Sequence, residues 1–190
     1  MKKPIMLLLL LTGAVTATYA QVDSTGINSK KHEIKIGAIK GLAGGIIEGT
    51  YEYINSPYFT YGASILGNLD TNNDYPEDFS ITPFARFYFT ESREYGAKGF
   101  FVEGFGKFIA GREYTYTTEV YYDQNGNEYW NGYDRDEKYT AGSIGLAIGW
   151  KWVNHAGFVF EILAGGGRNF GQGTGPDASF RGDFNIGYRF

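Results

Sequence analysis

Few residues in this chain have side chains suited to catalysis. Among its 190 residues there is no Cys, which excludes a thiol nucleophile, a Cys-ligated zinc site and a disulfide scaffold. The two histidines, His32 and His155, have no second metal-ligating residue at a useful spacing. Catalysis also needs a nucleophile, a base and an orienting group within hydrogen-bond reach, and no motif indicates such a set. We therefore expect no enzyme activity, no metal site and no cofactor.

Charged residues instead recur at alternating positions within apolar segments. Glu48 and Glu52 share one parity, as do Arg181, Asp183 and Arg189. Because side chains two positions apart lie on the same face of a β-strand, these charges should line a common surface. Each charge buried on that surface needs a partner. The predicted charge network contains Lys35, Glu48, Glu52, Arg86, Glu103, Lys107, Lys151, Glu161, Arg181, Asp183 and Arg189.

Eight segments of period-two alternation, bounded by Gly, Asn, Asp and Pro, position these residues. The segments are predicted at residues 33–42, 46–54, 58–69, 79–90, 98–112, 138–153, 157–168 and 178–190. In the sixth, Ile144, Leu146 and Ile148 oppose Ser143 and Ala147. The predicted fold class is all-β, an eight-stranded antiparallel up-and-down barrel.

Two segments depart from ideal alternation. Pro83 in the fourth segment cannot donate a ladder hydrogen bond, so we expect a bulge or a locally broken pair there. The fifth segment carries three apolar residues on its charged face, which are Phe101, Phe105 and Ile109. We interpret this as incomplete alternation or as a register shift near Gly104 or Gly106.

Alternation alone fits two arrangements with opposite interiors. A soluble barrel places the apolar face inward, whereas a transmembrane barrel places it against lipid. Two features favour the membrane. First, aromatic residues cluster at strand ends, as in the girdle that lies at a membrane interface. Second, short connections alternate with long ones, as in outer-membrane barrels: the short ones are at 54–57, 91–97 and 153–156, and the long ones are at 70–78, 113–137 and 167–177. A secreted soluble β-barrel that binds a small apolar ligand remains the alternative.

The first twenty residues have the layout of a secretory signal peptide. Lys2 and Lys3 precede an apolar run from Ile5 to Leu11, and small residues then lead to Ala20. The run is too short to cross a bilayer, which takes about 20 residues. The predicted organisation is a signal peptide at 1–20, a short periplasmic segment at 21–32 and an outer-membrane β-barrel at 33–190.

The eighth segment carries aromatic and apolar residues at alternating positions, which are Phe184, Ile186, Tyr188 and Phe190. With the signal peptide and the eight segments, this pattern resembles the small outer-membrane β-barrel family, the eight-stranded OmpA/OmpX-like barrels of Gram-negative cells. The resemblance covers residues 32–190. It implies contact with outer-membrane lipid and insertion by the barrel assembly machinery, with these four residues as the assembly signal. It also places both histidines at the periplasmic rim, opposite the rim where enzymes of the family carry catalytic groups.

The long loops are the best candidates for function, because binding residues concentrate on loops held by a rigid scaffold. Loop 113–137 is acidic and rich in aromatic residues, and a β-hairpin is predicted to turn at Asn125 and Gly126. Its contact candidates, for an extracellular protein or glycan, are Tyr121, Tyr122, Tyr129, Trp130 and Tyr133. A net charge of −4 argues against a nucleic-acid partner. A narrow gated channel through the charged lumen is a further alternative.

Overall fold

The structure is a computed structural model that describes residues 30–70, 73, 75–89, 96–122, 126, 128–172 and 175–190. The side chains of residues 43, 114–117, 133–136 and 172 lie outside this description. The predicted signal peptide at 1–20 and most of the predicted segment 21–32 therefore fall outside the described residues. Within the described residues, no helix is both long and apolar enough to cross a membrane.

Within the described residues, eight antiparallel strands, each paired with its neighbours in chain order, close into one barrel. The elements are β1 (His32–Gly37), α1 (Ile39–Gly44), β2 (Ile46–Ile54), β3 (Phe59–Asn68), β4 (Glu77–Tyr88), β5 (Gly99–Tyr122), β6 (Glu128–Val153), β7 (Phe158–Gln172) and β8 (Ala178–Arg189). Closure comes from β1 and β8, where Ile34 pairs with Tyr188 and Ile36 with Ile186. The prediction of an all-β, eight-stranded antiparallel barrel is confirmed.

The barrel wall separates apolar residues on its outside from polar residues on its inside. On β6, Ile144 and Leu146 are 71% and 67% exposed, whereas Ser143 and Ala147, which flank them at positions of the opposite parity, are buried. Residues at alternate positions of each strand therefore form two chemically different surfaces, as the sequence alternation predicts. We call the end from which β5 and β6 project the hairpin end, and the opposite end, where β1 begins and β8 ends, the terminal end.

The predicted first strand is too long, because residues 39–44 form α1 instead. The carboxylate of Asp183 accepts a hydrogen bond from the Ile39 backbone N–H at 3.0 Å, and the Leu42 N–H donates to the Ala38 carbonyl. The helix ends at Gly45, whose φ of 66° is left-handed and favours glycine. The Asp183 side chain on β8 thus directs the chain over the lumen at the start of α1. The two residues are far apart in sequence, so local alternation does not reveal this contact.

Strands β5 and β6 continue past the predicted segments 98–112 and 138–153, in the way that the predicted hairpin within 113–137 requires. The β5–β6 ladder is continuous from Gly99 and Lys151 to Tyr122 and Glu128. The predicted hairpin is confirmed, and Gly126 in its turn has a φ of 83°. Both faces of this ribbon meet solvent, so its sequence does not need to alternate between polar and apolar residues. The alternating segments in the sequence therefore end before the strands do. The remaining connections were predicted to be short at the terminal end and long at the hairpin end. The strand bounds show a smaller difference in length between the two ends than predicted.

The expected register shift near Gly104 or Gly106 is wrong. One β4–β5 register holds from Phe79 and Ala110 to Tyr88 and Phe101, and the ladder shifts only at Asp78. The three apolar residues on the charged face of β5 simply point into the lumen and are buried there: Phe101, Phe105 and Ile109. Incomplete alternation, the other interpretation, is therefore the correct one.

Pro83 causes no bulge. It faces outward and pairs with Ala63 of β3. On its other side, the β4–β5 pairing passes from Ile81 to Phe84 without a change of register. A local interruption of the ladder, the second predicted possibility, matches this arrangement, since proline has no N–H to donate.

Inward glycines make room for inward aromatic rings. A Cβ added at Gly149 would lie 2.5 Å from the Cζ of Phe101, and one added at Gly145 would lie 2.4 Å from the Cζ of Phe105. Real Cβ atoms do not approach other atoms this closely. In an eight-stranded barrel, whose interior is just wide enough for side chains, each of these two rings fits because its paired residue on the neighbouring strand is a glycine.

We predict that Gly149→Val destabilises the barrel by about 1–3 kcal/mol, since it overpacks the lumen against Phe101 and the Ile162 carbonyl. The measurement is the urea unfolding midpoint of the purified protein, followed by Trp fluorescence. Gly104→Val is the matched control, because a Cβ there faces outward and meets only the Leu146 side chain at 4.0 Å. Equal midpoints for both variants would contradict this account of lumen packing.

Candidate functional site

The lumen is built around the carboxylate of Glu52, which is fully buried. It accepts hydrogen bonds from the Nζ of Lys35 at 2.5 Å, the guanidinium of Arg86 at 2.6 Å and the Nζ of Lys151 at 2.7 Å. The Tyr88 hydroxyl donates a fourth at 3.0 Å. The three cations come from β1, β4 and β6, so one carboxylate on β2 connects distant parts of the wall.

Arg86 links this centre to two further carboxylates. Its Nη1 donates to Glu161 at 2.7 Å and its Nε donates to Glu103 at 2.7 Å. The guanidinium carbon also lies 4.4 Å from the ring centroid of Phe84 and 4.5 Å from that of Phe101. The cation is therefore hydrogen-bonded to anions and lies over two aromatic rings, two favourable environments for a guanidinium.

Toward the hairpin end, the network continues through Arg181, which donates to Glu103 and lies 3.4 Å from Glu48. Lys40 of α1 also donates to Glu48, and Lys107 donates to Glu77. The helix thus contributes a cation that covers this end of the lumen.

Tyr75, in the connection between β3 and β4, lies near this group of carboxylates. Burial, and then the negative charges of Glu77, Glu48 and Asp183, raise the pKa of its hydroxyl well above the ordinary value. The hydroxyl therefore stays neutral in the physiological range and adds no charge to the network.

At the terminal end, Arg189 connects three parts of the barrel through hydrogen bonds. Its Nε donates to Glu33 at 2.7 Å, and its Nη1 and Nη2 donate to the carbonyls of Gly96 and Ala97 at 2.8 and 3.0 Å. Ala97 is buried and has a φ of 55°, an uncommon conformation for a residue other than glycine. Gly96 and Ala97, which lead into β5, are thus held at the mouth of the barrel by β8.

The structure places all eleven predicted network residues inside the barrel, where they are buried. It adds Glu33, which parity with Lys35 could have revealed, and Glu77, which parity would have assigned to the outside. The irregularity at Asp78 reverses the face of Glu77 and brings it to Lys107. Lys40 was missed because it lies on the helix. Among the described residues, the lumen then holds seven acids and seven bases, and one of the acids, Asp183, accepts hydrogen bonds from backbone N–H groups.

The other predicted sites lie outside the lumen. Ile186 and Phe190 are exposed on the outer face, and Phe184 and Tyr188 are half-buried there. On the hairpin, Tyr121, Tyr122, Tyr129 and Trp130 are exposed. Tyr133 pairs with Thr117 in the ladder, but its side chain lies outside the described residues. Both histidines are at the terminal end, His32 at the start of β1 and His155 in the β6–β7 turn.

Comparison of the chain with protein-family models, curated protein sequences and solved structures found no match. Function must therefore be inferred from the barrel itself. Its informative features are the polarity of its two surfaces, the paired charges that fill its interior and the ribbon that projects from one end.

We predict that Glu52→Gln destabilises the barrel by about 3–5 kcal/mol, because it leaves three buried cations short of an anion. Asp78→Asn is the control, since it removes a partly exposed ion pair with Arg112 and should change stability by less than about 1 kcal/mol. The urea unfolding midpoints of the two purified variants measure both effects. If Glu52→Gln were as mild as the control, the network would not be holding the barrel together.

Proposed function

We propose that this chain is an outer-membrane β-barrel protein, similar to the small OmpA/OmpX-like barrels, that contacts extracellular partners through its β5–β6 hairpin. The observation that carries the membrane location is the inverted polarity of the wall. Charged side chains such as Glu52 and Arg86 are buried inside, whereas large apolar side chains such as Ile144 and Phe180 are exposed outside. This arrangement is typical of a barrel whose solvent is lipid.

The height of the apolar band fits a bilayer. On β5, the outward residues from Phe100 to Ala110 are all apolar or glycine, and the next outward residue is Arg112. Eleven residues at a rise of about 3.3 Å and a tilt of about 40° span roughly 25 Å, the height of the apolar band of outer-membrane barrels. The band thus ends with a charge where a membrane interface is expected.

Aromatic side chains are concentrated near the terminal end of this band. Trp150 and Trp152 are both exposed there, with ring centroids 6.2 Å apart. Phe87 and Phe89 form a second outward pair, 5.2 Å apart. Aromatic residues are enriched at membrane interfaces, and such a girdle supports a periplasmic interface at this end.

The polarity argues against the soluble alternative. A secreted barrel that binds an apolar ligand needs apolar side chains facing inward and a polar exterior. Here a continuous apolar exterior would face water, far beyond the patch of a few hundred Å² that soluble monomers usually expose. The gated channel is disfavoured by the packed ion pairs, by Arg189 across one mouth and by Lys40 over the other.

The hairpin is the part of the barrel best suited to contact a partner. Beyond Gly111, the last residue of β5 paired with β4, and Thr140, the last of β6 paired with β7, the two strands pair only with each other in the described ladders. From Arg112 to Tyr122 the ribbon extends roughly 33 Å. Its exposed aromatic side chains are large, rigid contact groups of the kind enriched in binding surfaces. Its acidic residues favour a partner that carries positive charge or hydroxyl groups.

Export and assembly complete the proposal. The N-terminal signal peptide would direct the chain across the inner membrane. The outward residues of β8 then provide the pattern that the barrel assembly machinery would recognise: Phe184, Ile186, Tyr188 and Phe190. Their alternation places all four on the face that meets lipid.

We predict that the protein stays in the membrane fraction through washes with high salt and urea, is released by detergent, and migrates faster on a gel unboiled than boiled. A closed barrel resists detergent unfolding until heated, which produces the shift. Recovery in the soluble fraction without any shift would contradict the proposal and favour the soluble alternative.

We also predict that an epitope inserted beside Gly126 is stained by antibody on intact cells, because the hairpin should lie outside the outer membrane. The matched control is the same epitope beside Ser56 in the β2–β3 turn, which should be stained only after permeabilisation. Staining with the opposite pattern would reverse the orientation of the barrel and remove the hairpin from the cell surface.

A further inference from the structure

Near the tip of the β5–β6 hairpin, two aromatic side chains and a carboxylate share one face of the ribbon. Glu128 and Trp130 lie two positions apart on β6, so both point to the same side. Tyr122 on β5 pairs with Glu128 and points to that side as well. The Trp130 and Tyr122 side chains are 69% and 68% exposed, so both rings are accessible to a partner. We call the surface formed by these three residues the tryptophan face.

A hydrogen bond and the strand register relate the three side chains to one another. The Tyr122 hydroxyl donates to the Glu128 Oε1 at 3.2 Å. The Cα atoms of Glu128 and Trp130 are about 7 Å apart, the spacing of alternate residues on a strand. Tyr122 and Trp130 are diagonal neighbours across the ladder, a relation within the reach of aromatic side chains. A group as large as a guanidinium can therefore lie against the Trp130 ring and also reach the carboxylate.

The opposite face of the ribbon carries a similar tyrosine and acid without a tryptophan. Tyr121 pairs there with Tyr129, and Glu119 pairs with Asn131. The Tyr121 hydroxyl donates to Glu119. Both faces thus have a hydrogen bond from a tyrosine to a glutamate, and the presence of Trp130 distinguishes the tryptophan face. The opposite face is therefore a matched control within the same ribbon.

The charge of the hairpin favours a cationic partner. Residues 113–137 include seven acidic residues and one basic residue. At the base of the ribbon, Arg112 and Lys138 pair with each other on the side to which the tryptophan face belongs. These two cations repel a positively charged group, whereas the acidic residues beyond them attract it. The electrostatic field thus directs a cation away from the barrel wall and toward the tip.

We propose that the tryptophan face binds an arginine side chain presented by a basic segment of a protein partner. The guanidinium lies over the Trp130 ring and donates to the Glu128 carboxylate. A carboxylate accepts several hydrogen bonds, so Glu128 keeps the one from Tyr122. This inference rests on the proposed function, because it names the chemistry of the partner that the hairpin contacts.

The composition of the face favours arginine over other ligand groups. Tryptophan is the aromatic residue that attracts a cation most strongly. A guanidinium stacks on an aromatic ring and donates to a carboxylate in a planar fork, whereas the ammonium of lysine is a more strongly hydrated point charge. A neutral glycan also stacks on a tryptophan ring but gains nothing from the acidic charge. A second copy of the hairpin would bring like charges together.

The shape of the ribbon favours a protein over a small molecule. Sites for small molecules are concave and surround most of the ligand. The hairpin instead presents an open two-stranded surface with exposed side chains on both faces. Contacts on such surfaces, where tryptophan, tyrosine and arginine provide most of the binding energy, are typical of protein interfaces. The residues beside the arginine would then lie along the ribbon.

The test compares the affinities of the purified protein for labelled peptides that differ in one kind of side chain. The first peptide alternates glycine and arginine, the second has lysine in place of arginine, and the third has citrulline, which keeps the shape of arginine and lacks its charge. Fluorescence polarisation gives each Kd. We expect the arginine peptide to bind most tightly and the citrulline peptide least tightly. Unlabelled maltohexaose, a neutral oligosaccharide, should not displace the arginine peptide.

Three variants probe the tryptophan face. Trp130→Leu should weaken binding of the arginine peptide about twofold to fivefold, the effect of one exposed cation–π contact. Glu128→Gln should weaken it by a similar factor, since it removes an exposed ion pair. Trp130→Phe should cause a smaller loss, because phenylalanine attracts a cation less strongly than tryptophan does. It retains an aromatic ring, so it separates loss of the cation contact from a disturbance of the ribbon.

Two control variants make the matching changes on the opposite face. Tyr129→Leu replaces an exposed aromatic ring with the same leucine, and Glu119→Gln removes the same charge from the ribbon as Glu128→Gln does. Each should change the affinity less than about twofold. The difference between the two glutamate variants therefore measures the local contact apart from the overall charge.

The outcomes separate this inference from the proposed function. Equal affinity for the arginine and citrulline peptides, equal effects on the two faces, or displacement by the oligosaccharide would overturn the arginine site and leave the membrane barrel standing. Recovery of the chain in the soluble fraction without a heat shift would overturn the proposed function, even with the peptide bound. Weaker binding in Trp130→Leu and Glu128→Gln, with unchanged controls and heat shift, would support the site.

Discussion

Glu52 accepts hydrogen bonds from cations on three different strands, and the rest of the barrel depends on such shared pairing. An unpaired charge in the lumen would be costly, whereas a charge with several opposite partners offsets its own desolvation. A slip of one residue in any strand would carry its charges to the outer face. The network therefore stabilises one register above all others, and it does so across the barrel as well as between neighbouring strands.

The outer surface follows from the same constraint. Once alternate positions are committed to paired charges and the rings that pack beside them, the intervening positions face outward, and here they are apolar. The glycines opposite Phe101 and Phe105 show how little space remains inside. Where small residues fall on the outward positions instead, as at Gly166 and Ala164, the outer face has shallow hollows. Interior packing and exterior shape are thus two consequences of one alternating pattern.

The alternation of polar and apolar residues was sufficient to predict the strands and most of the lumen. It is present wherever the two faces of a strand meet different surroundings. It failed where a contact distant in sequence redirects the chain. Asp183 holds the start of α1, and the irregularity at Asp78 turns Glu77 inward. It also failed on the hairpin, where both faces meet water and no alternation is required. The pairing partners of each charge could not be predicted either, since they depend on which strands face each other across the lumen.

The hairpin also has a mechanical consequence. A partner that pulls on its tip loads β5 and β6 along their own axes, in the same direction. That force reaches the wall as shear along the β4–β5 and β6–β7 ladders, where many hydrogen bonds lie side by side and bear the load together. Peeling a strand from the wall would instead break its bonds one after another. Because β5 and β6 belong to the wall and also form the hairpin, the barrel should resist traction applied at its hairpin end.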